Sequence, residues 1–384
     1  GIPVAEIKIA GDAPAGAFSL WDEEAGCVPP GPEHEALVLH TSGTTSRPKV
    51  VPLSQANLFA SANNIAGTLR LTQDDHCLNI MPLFHIHGLM AVVLASMTAG
   101  ASVCCTPGFN ALRFFGWAGE EKPSWYSAVP TMHQAILQRA ERNPEAVAAM
   151  ALRFVRSSSA SLPPAVFKQL QETFRCPVIE AYGMTEAAHQ MASNPLPPGE
   201  QKPGHVGKAA GPEIRILDAE GAERDVGVEG EVCIRGANVT AGYENNAAAN
   251  AASFTNGWFR TGDQGFLDED GYLKITGRIK EIINRGGEKV SPLEVDDVLL
   301  EHPAVRQAVT FAMPHKALGE EVAAAVVLVE GASLSPSELQ EFAGRTLAAY
   351  KVPRKIVMLD EVPKGATGKV QRIGLAKLLN LGEA

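Results

Sequence analysis

The sequence has no apolar run of membrane length. The longest, around Met90–Ala95, is broken by Ser96 and Thr98, far short of the ~20 residues that a spanning helix needs. It has no excess of positive charge. Lys and Arg number 33 against 43 Asp and Glu, a net of -10, which argues against a nucleic-acid-binding face while leaving room for local basic pockets. It has no paired-cysteine pattern either. Cys27, Cys77, Cys104, Cys105, Cys176 and Cys233 include no C-x-x-C and no His at zinc spacing, so they read as free thiols of a reducing, cytoplasmic compartment. The start, Gly1-Ile2-Pro3, has no initiator Met, basic leader or apolar leader core. The end, Leu381-Gly382-Glu383-Ala384, has no Ser-Lys-Leu address. The expectation is a cytoplasmic protein, with no membrane, nucleic-acid or obligatory protein partner, whose N-terminal portion is absent from this chain.

What is present is a chain of 384 residues, 45% hydrophobic and 20% charged, too long for one ordinary core and balanced like a soluble globular protein. Strand-like and helix-like stretches alternate through the first half. Residues 36–40, 77–82, 102–105, 152–157 and 178–182 read as strands, and 54–69, 89–99, 132–142 and 163–174 as helices. That alternation predicts an α/β fold with a mainly parallel sheet. After Pro195 come short runs at 213–218, 229–235, 258–263 and 271–276, separated by Gly, Asp and Asn, which predict a β-rich subdomain at about 205–279. Helices are expected at 292–301 and 335–348, and strands at 305–312 and 322–329. The predicted organisation is a large domain, 1–279, followed by a small mobile α+β domain, 280–384.

Loops that follow parallel strands gather at the strand C-termini, where ligands of such sheets bind. Three here are rich in hydroxyls, at 41–46, 157–161 and 183–186. Thr41-Ser42-Gly43-Thr44-Thr45-Ser46-Arg47-Pro48-Lys49 can wrap phosphate oxygens with hydroxyl and backbone N–H groups, and Lys49 adds a point charge. It is not a Walker A loop. On composition alone, an ordinary polar turn accounts for it equally well.

The loop, however, resembles the phosphate-binding signature of the adenylate-forming superfamily that includes acyl-CoA synthetases, luciferases and peptide-synthetase adenylation domains. Five more signatures follow in that superfamily's order. They are Pro82-Leu83-Phe84-His85-Ile86-His87-Gly88, Tyr182-Gly183-Met184-Thr185-Glu186, Arg260-Thr261-Gly262-Asp263, Gly277-Arg278-Ile279-Lys280-Glu281, and Pro363-Lys364-Gly365-Ala366-Thr367-Gly368-Lys369. Two positions depart from the pattern: Ser46 stands where Gly is common, and Val50 where Gly usually follows Pro-Lys.

The resemblance implies ATP, Mg2+ and coenzyme A as ligands, and it implies roles. Thr41, Ser42, Gly43, Thr44, Thr45 and Lys49 would cradle phosphates. Tyr182 would stack on adenine, with Ser159, Ala160, Glu180 and Ala181 lining the nucleotide site. Thr185 would touch the α-phosphate, and Glu186 would hold Mg2+, a hard cation suited to carboxylate oxygen. Asp263 would bind the ribose hydroxyls, with Arg278 in support. Lys369 would bridge the acid and the α-phosphate during adenylation. Lys280 would be the hinge about which the small domain turns, bringing Gly286 and Gly287 up to pantetheine. Taken singly, a Thr-Gly-Asp is only a turn and a Lys between glycines only a solvated loop, so these roles rest on the ordered set.

For the acid, Ser159, His189 and the weaker candidate His87 are polar groups where a fatty acyl chain would need an apolar wall. The stretch from Glu180 to Pro197, with His40-Thr41 and Ser159-Ala160-Ser161-Leu162, resembles oxalate–CoA ligases of plants and fungi, which implies oxalate as the small carboxylic acid. A malonate-type or medium-chain synthetase remains the alternative. A carrier-loading adenylation module, or a protein that only binds nucleotide, fits the motifs less well.

Overall fold

The first two strands show how the fold serves the site. In the computed structural model, which describes residues 30–41, 48–363 and 372–382, β1 (Glu35–His40) and β2 (Val50–Ser54) pair antiparallel, with His40 opposite Val50. The Thr41 N–H donates to the Lys49 carbonyl at 2.9 Å, closing the base of the intervening loop. The sequence reading carried 36–40 into the α/β alternation and did not foresee β2. These strands instead make a separate two-stranded ribbon. Ser54 then caps the helix Gln55–Thr68: its Oγ accepts the Asn57 N–H at 3.2 Å, and Asn57 Oδ1 accepts the Ser54 N–H at 3.0 Å, a reciprocal box that satisfies two otherwise orphaned donors.

The central sheet has seven strands in the order β4-β3-β5-β6-β7-β8-β9. β3 (His76–Asn79), β4 (Ser102–Cys105), β5 (Trp125–Ala128), β6 (Phe154–Ser157) and β7 (Val178–Met184) run parallel, and β8 (His189–Ser193) and β9 (Lys208–Ala209) complete it antiparallel. The parallel strands are apolar on both faces, as buried parallel strands are. Leu78, Tyr126, Val155 and Val178 face one core with Phe167 and Leu170. Their neighbours Cys77, Trp125, Phe154 and Ile179 face another with Ile65 and Leu69. The expected helix at 89–99 is a π-helical stretch, His87–Leu94, running on into Ala95–Thr98.

A second, antiparallel sheet follows. It holds β10 (Glu213–Leu217), β11 (Gly230–Arg235), β12 (Phe254–Thr255), β13 (Trp258–Leu267) and β14 (Leu273–Arg278). The last sheet holds β15 (Ile283–Arg285), β16 (Glu288–Val290), β17 (Val305–His315), β18 (Gly319–Leu328) and β19 (Lys355–Met358), the last parallel to β18. Helices Pro292–Leu300 and Pro336–Ala343 contribute Val295, Leu299 and Leu339 to its core. The second of these stops five residues before the expected 348, at a cap on Gly344. Among the described residues no helix is long and apolar enough to cross a membrane.

Candidate active site

Register alone brings the first pair of predicted site residues together. Asp263 on β13 lies directly opposite Arg278 on β14, and Arg278 Nε is 3.2 Å from Asp263 Oδ1. Tyr182, near the end of β7, donates its hydroxyl to Asp263 Oδ2. Burial and then the Asp263 carboxylate push the Tyr182 phenol well above its ordinary value, so it stays a donor. The turn before Asp263 is held by Glu231, whose Oε1 accepts the Gly262 N–H at 3.0 Å and whose Oε2 takes Arg260 Nε at 2.7 Å. A flat ring and a carboxylate thus share one edge.

The second group centres on Glu186, in the single turn of helix Thr185–Ala187 after β7. Its Oε1 accepts the hydroxyl of Tyr243 at 2.8 Å, and Lys49 Nζ sits 4.2 Å from the centre of the Tyr243 ring, within cation–π range. Tyr243 therefore links the base of the β1–β2 hairpin to Glu186. Sequence reading missed it, because Ala241-Gly242-Tyr243 carries no motif and only the tertiary contact reveals it. With Oε1 taken by Tyr243, Oε2 of Glu186 is the oxygen left for a hard cation. Among the described residues no three His, Cys, Asp or Glu gather into a protein-only metal cage, and one carboxylate shared with nucleotide phosphates suits Mg2+.

The third group is polar and buried. His87 opens the π-helical stretch; its Nδ1 is 3.0 Å from Ser159 Oγ and its Nε2 2.6 Å from Ser127 Oγ. The His189 ring lies 5.1 Å from that of His87. His87 and His189 are almost fully buried, whereas Ser159 is partly exposed. The local backbone is unusual: Ser159, Ala188 and His189 have φ of 73°, 46° and 98°, values more often met at functional sites than elsewhere. Gly183 permits this. A Cβ there would lie 2.0 Å from the His189 carbonyl oxygen, so the Gly of Tyr-Gly-Met-Thr-Glu is what lets β8 cross β7 closely enough to bring His189 in. Behind these side chains lie Ser127, Gln190 and Arg156, which the sequence reading did not assign to the acid site.

Comparison with known proteins decides the family. The model of the AMP-binding enzyme family matches residues 5–244. The chain belongs to the AMP-binding enzyme family. The model of the AMP-binding enzyme C-terminal domain matches residues 294–369. The chain is 51% identical over 344 residues to an oxalate–CoA ligase of Arabidopsis thaliana, covering 89% of this chain and 67% of that protein. It is 47% identical over 344 residues to an oxalate–CoA ligase of Saccharomyces cerevisiae, covering 89% and 63%. This chain therefore spans about two thirds of the length of the curated relatives it matches. Its fold superposes on ATP-bound MatB from Rhodopseudomonas palustris with a TM-score of 0.85 at 31% identity, covering 91% of this chain and 69% of that one.

Not every predicted site residue of this AMP-binding enzyme falls within the three groups. Ser42, Gly43, Thr44, Thr45 and Lys369 lie outside the described residues. Thr41 stands at the base of the hairpin loop. Ala160 is exposed on the loop after β6, and the Ala181 carbonyl accepts the Ser158 hydroxyl at 2.8 Å. Lys280 is exposed in the turn that follows β14. Gly286 and Gly287 form the β15–β16 turn with φ of 60° and 99°. A cavity of ≈ 910 Å3 between helices Pro130–Ala140 and Pro164–Phe174 and the segment 300–306 contains none of the predicted site residues.

Glu180 departs most from its expected place beside the nucleotide. Its side chain is 1% exposed and turns beneath the loop after β6, where Oε1 accepts the Leu162 N–H at 3.2 Å. Burial raises its pKa to about 8 from 4.5. The folded protein therefore holds a proton that the unfolded chain releases. The associated stability is present in full below pH 4.5 and is lost as pH rises to about 8. The slope approaches about 1.4 kcal/mol per pH unit within that window. Glu180→Gln, whose amide oxygen can still accept from Leu162, should flatten the fall in urea midpoint between pH 6 and pH 8.5. Parallel pH profiles for variant and wild type would show that Glu180 is not the buried acid responsible.

Proposed function

We propose that the protein is an ATP-dependent acid–CoA ligase acting on a small carboxylic acid, oxalate. In the first step a carboxylate oxygen bonds to the α-phosphorus of ATP and the α–β P–O bond breaks, giving the acyl-adenylate and pyrophosphate. In the second the thiol of coenzyme A bonds to the acyl carbon, the C–O bond to phosphate breaks, and AMP leaves. The observation that carries this reading is the acid group of the site. A fatty acid needs a deep apolar pocket, whereas His87, Ser159 and His189 offer hydrogen bonds beside Thr185 and Glu186. The names of the relatives at about half identity support the same acid.

In this reading Tyr182 stacks on adenine, with Ser159, Ala160 and the Glu180–Ala181 backbone nearby. Asp263 accepts the ribose hydroxyls while Arg278 and Tyr182 hold it in place. Thr41, Ser42, Gly43, Thr44, Thr45 and Lys49 hold phosphates, and Thr185 contacts the α-phosphate. Glu186, fixed by Tyr243, holds Mg2+, which neutralises phosphate charge when bound. Lys369 stabilises the charge that develops as the acid attacks. The chain divides into a domain at 1–279 and a mobile one at 280–384, and Lys280 is the hinge. A rotation there exchanges Lys369 for the Gly286–Gly287 turn, whose lack of side chains lets pantetheine approach the backbone. The two-step reading is tested by isotope exchange between pyrophosphate and ATP. Exchange should require oxalate and proceed without coenzyme A. Exchange that needed coenzyme A would exclude a free-standing adenylation step.

A further inference from the structure

Arg156 has a place in the fold that the nucleotide chemistry does not use. It sits on β6, directly opposite Ser127 on β5, and its side chain is fully buried. Among the described residues no carboxylate forms an ion pair with it. Its partners are neutral: Gln190 Oε1 at 3.2 Å, Ser127 Oγ at 3.4 Å and His87 Nε2 at 3.5 Å from the guanidinium. Its Nε has no hydrogen-bond partner. Gln190 is itself fixed, since its amide nitrogen donates to Thr68 Oγ1 and the Ala210 carbonyl at 3.2 and 3.1 Å. A guanidinium buried this way is costly, and its pKa is pulled down to about 9, chiefly by burial. Among the described residues Cys77 is the one titrating group that acts on it, and burial pushes that thiol up, so it supplies no negative charge.

We propose that Arg156 makes this site selective for doubly charged acids, its charge being completed by the second carboxylate of the substrate and relayed through His87 and Ser159. The inference rests on the ligase reading and deepens it by assigning the substrate class. The direction of the relay follows from what each group can do. A guanidinium only donates; Ser127 Oγ accepts from it and can pass its own hydrogen to His87 Nε2, 2.6 Å away, which makes Nε2 an acceptor and puts the ring proton on Nδ1. That proton points at Ser159 Oγ, 3.0 Å away, and the Ser159 hydroxyl hydrogen is then directed away from His87. Burial follows the same order, with Arg156 and His87 enclosed and Ser159 reaching solvent. In a low-dielectric interior an uncompensated charge acts strongly across such a layer. Arg156 is thus a positioning residue: it orients the donors that meet the substrate and does not touch it.

The test is the ratio of kcat/KM for oxalate to kcat/KM for glycolate, a monoanion on the same two-carbon frame, measured in the full-length protein. Arg156→Met should lower this ratio about 10- to 150-fold, the range for losing a charge-assisted interaction, while glycolate turnover and KM for ATP stay within a few-fold. Arg156→Lys, which keeps the cation, should restore most of the ratio. If the Met variant gives no soluble protein, Arg156→Gln, polar but uncharged, is expected to lose the ratio in the same way. An unchanged ratio in the uncharged variants, or equal loss on both acids, overturns the proposal. The oxalate assignment fails separately. A wild type that prefers malonate to oxalate would reject oxalate, and loss of its malonate-over-acetate preference in Arg156→Met would still support the role of Arg156.

Discussion

Lys369→Ala should abolish formation of the acyl-adenylate while leaving thioester formation from a supplied adenylate largely intact. In the proposed mechanism the ammonium acts only when negative charge is in transit between carboxylate, α-phosphate and pyrophosphate. Removing a positioned electrostatic contact of this kind costs on the order of 10²–10³-fold in rate. In the same proposed mechanism the second half-reaction uses the site after Lys369 has been exchanged for the Gly286–Gly287 turn, so it has no need of the lysine. Separate single-turnover assays measure the two steps, one for adenylate from ATP and oxalate, the other for thioester from oxalyl-adenylate and coenzyme A. Equal loss in both would remove Lys369 from its adenylation role. Lys280→Pro should also split the two steps, because proline fixes φ at the residue that has to turn; equal, mild loss would remove the hinge.

His189→Ala should impair oxalate activation about 10- to 150-fold, the range for losing a hydrogen bond to a charged group, with KM for ATP unchanged within about two-fold. The backbone argument makes this substitution clean. His189 adopts φ of 98°, and Ala carries the same Cβ, so the substitution brings no new atom into that backbone. What is lost is the imidazole beside His87. A site built on polar contacts discriminates strongly, because its groups stay unpaired with the wrong ligand. Steady-state kinetics with oxalate varied at saturating ATP provides the measurement. An unimpaired His189→Ala enzyme would remove this side chain from the acid site.

The sequence made the chemistry legible where it depends on residue type and local spacing. Tyr182, Thr185 and Glu186 fall on one strand end and the turn after it, and Asp263 and Arg278 fall on paired strands, so motif order was enough to link them. It did not make Tyr243 or Arg156 legible. Each acts through contacts distant in the chain, Tyr243 with Glu186 and Arg156 with His87, and neither carries a local pattern. The fold reading erred for similar reasons. β8 begins at His189, which like Ala188 before it has positive φ, and cannot be read as a continuation of β7. β5 and β19 were passed over, although at four residues each they are no shorter than β4, which the sequence did mark. β2 contains Pro52, which reads as a break yet is tolerated in a two-stranded ribbon. Glu180 sits in a motif that points to the nucleotide, but its side chain is held under the loop after β6 by the Leu162 N–H, eighteen residues away in the chain, a contact that no local pattern announces.

The account stands most directly on which acid the enzyme activates. Coenzyme-A-dependent release of AMP, measured with oxalate, malonate, acetate and octanoate at equal concentrations, decides it. Oxalate has no apolar surface, so its recognition has to come from hydrogen bonds and charge, which the proposed acid site supplies from Ser159, His87 and His189. Oxalate should show the highest kcat/KM, with acetate poor and octanoate poorer still. Faster turnover of octanoate than of oxalate would contradict it.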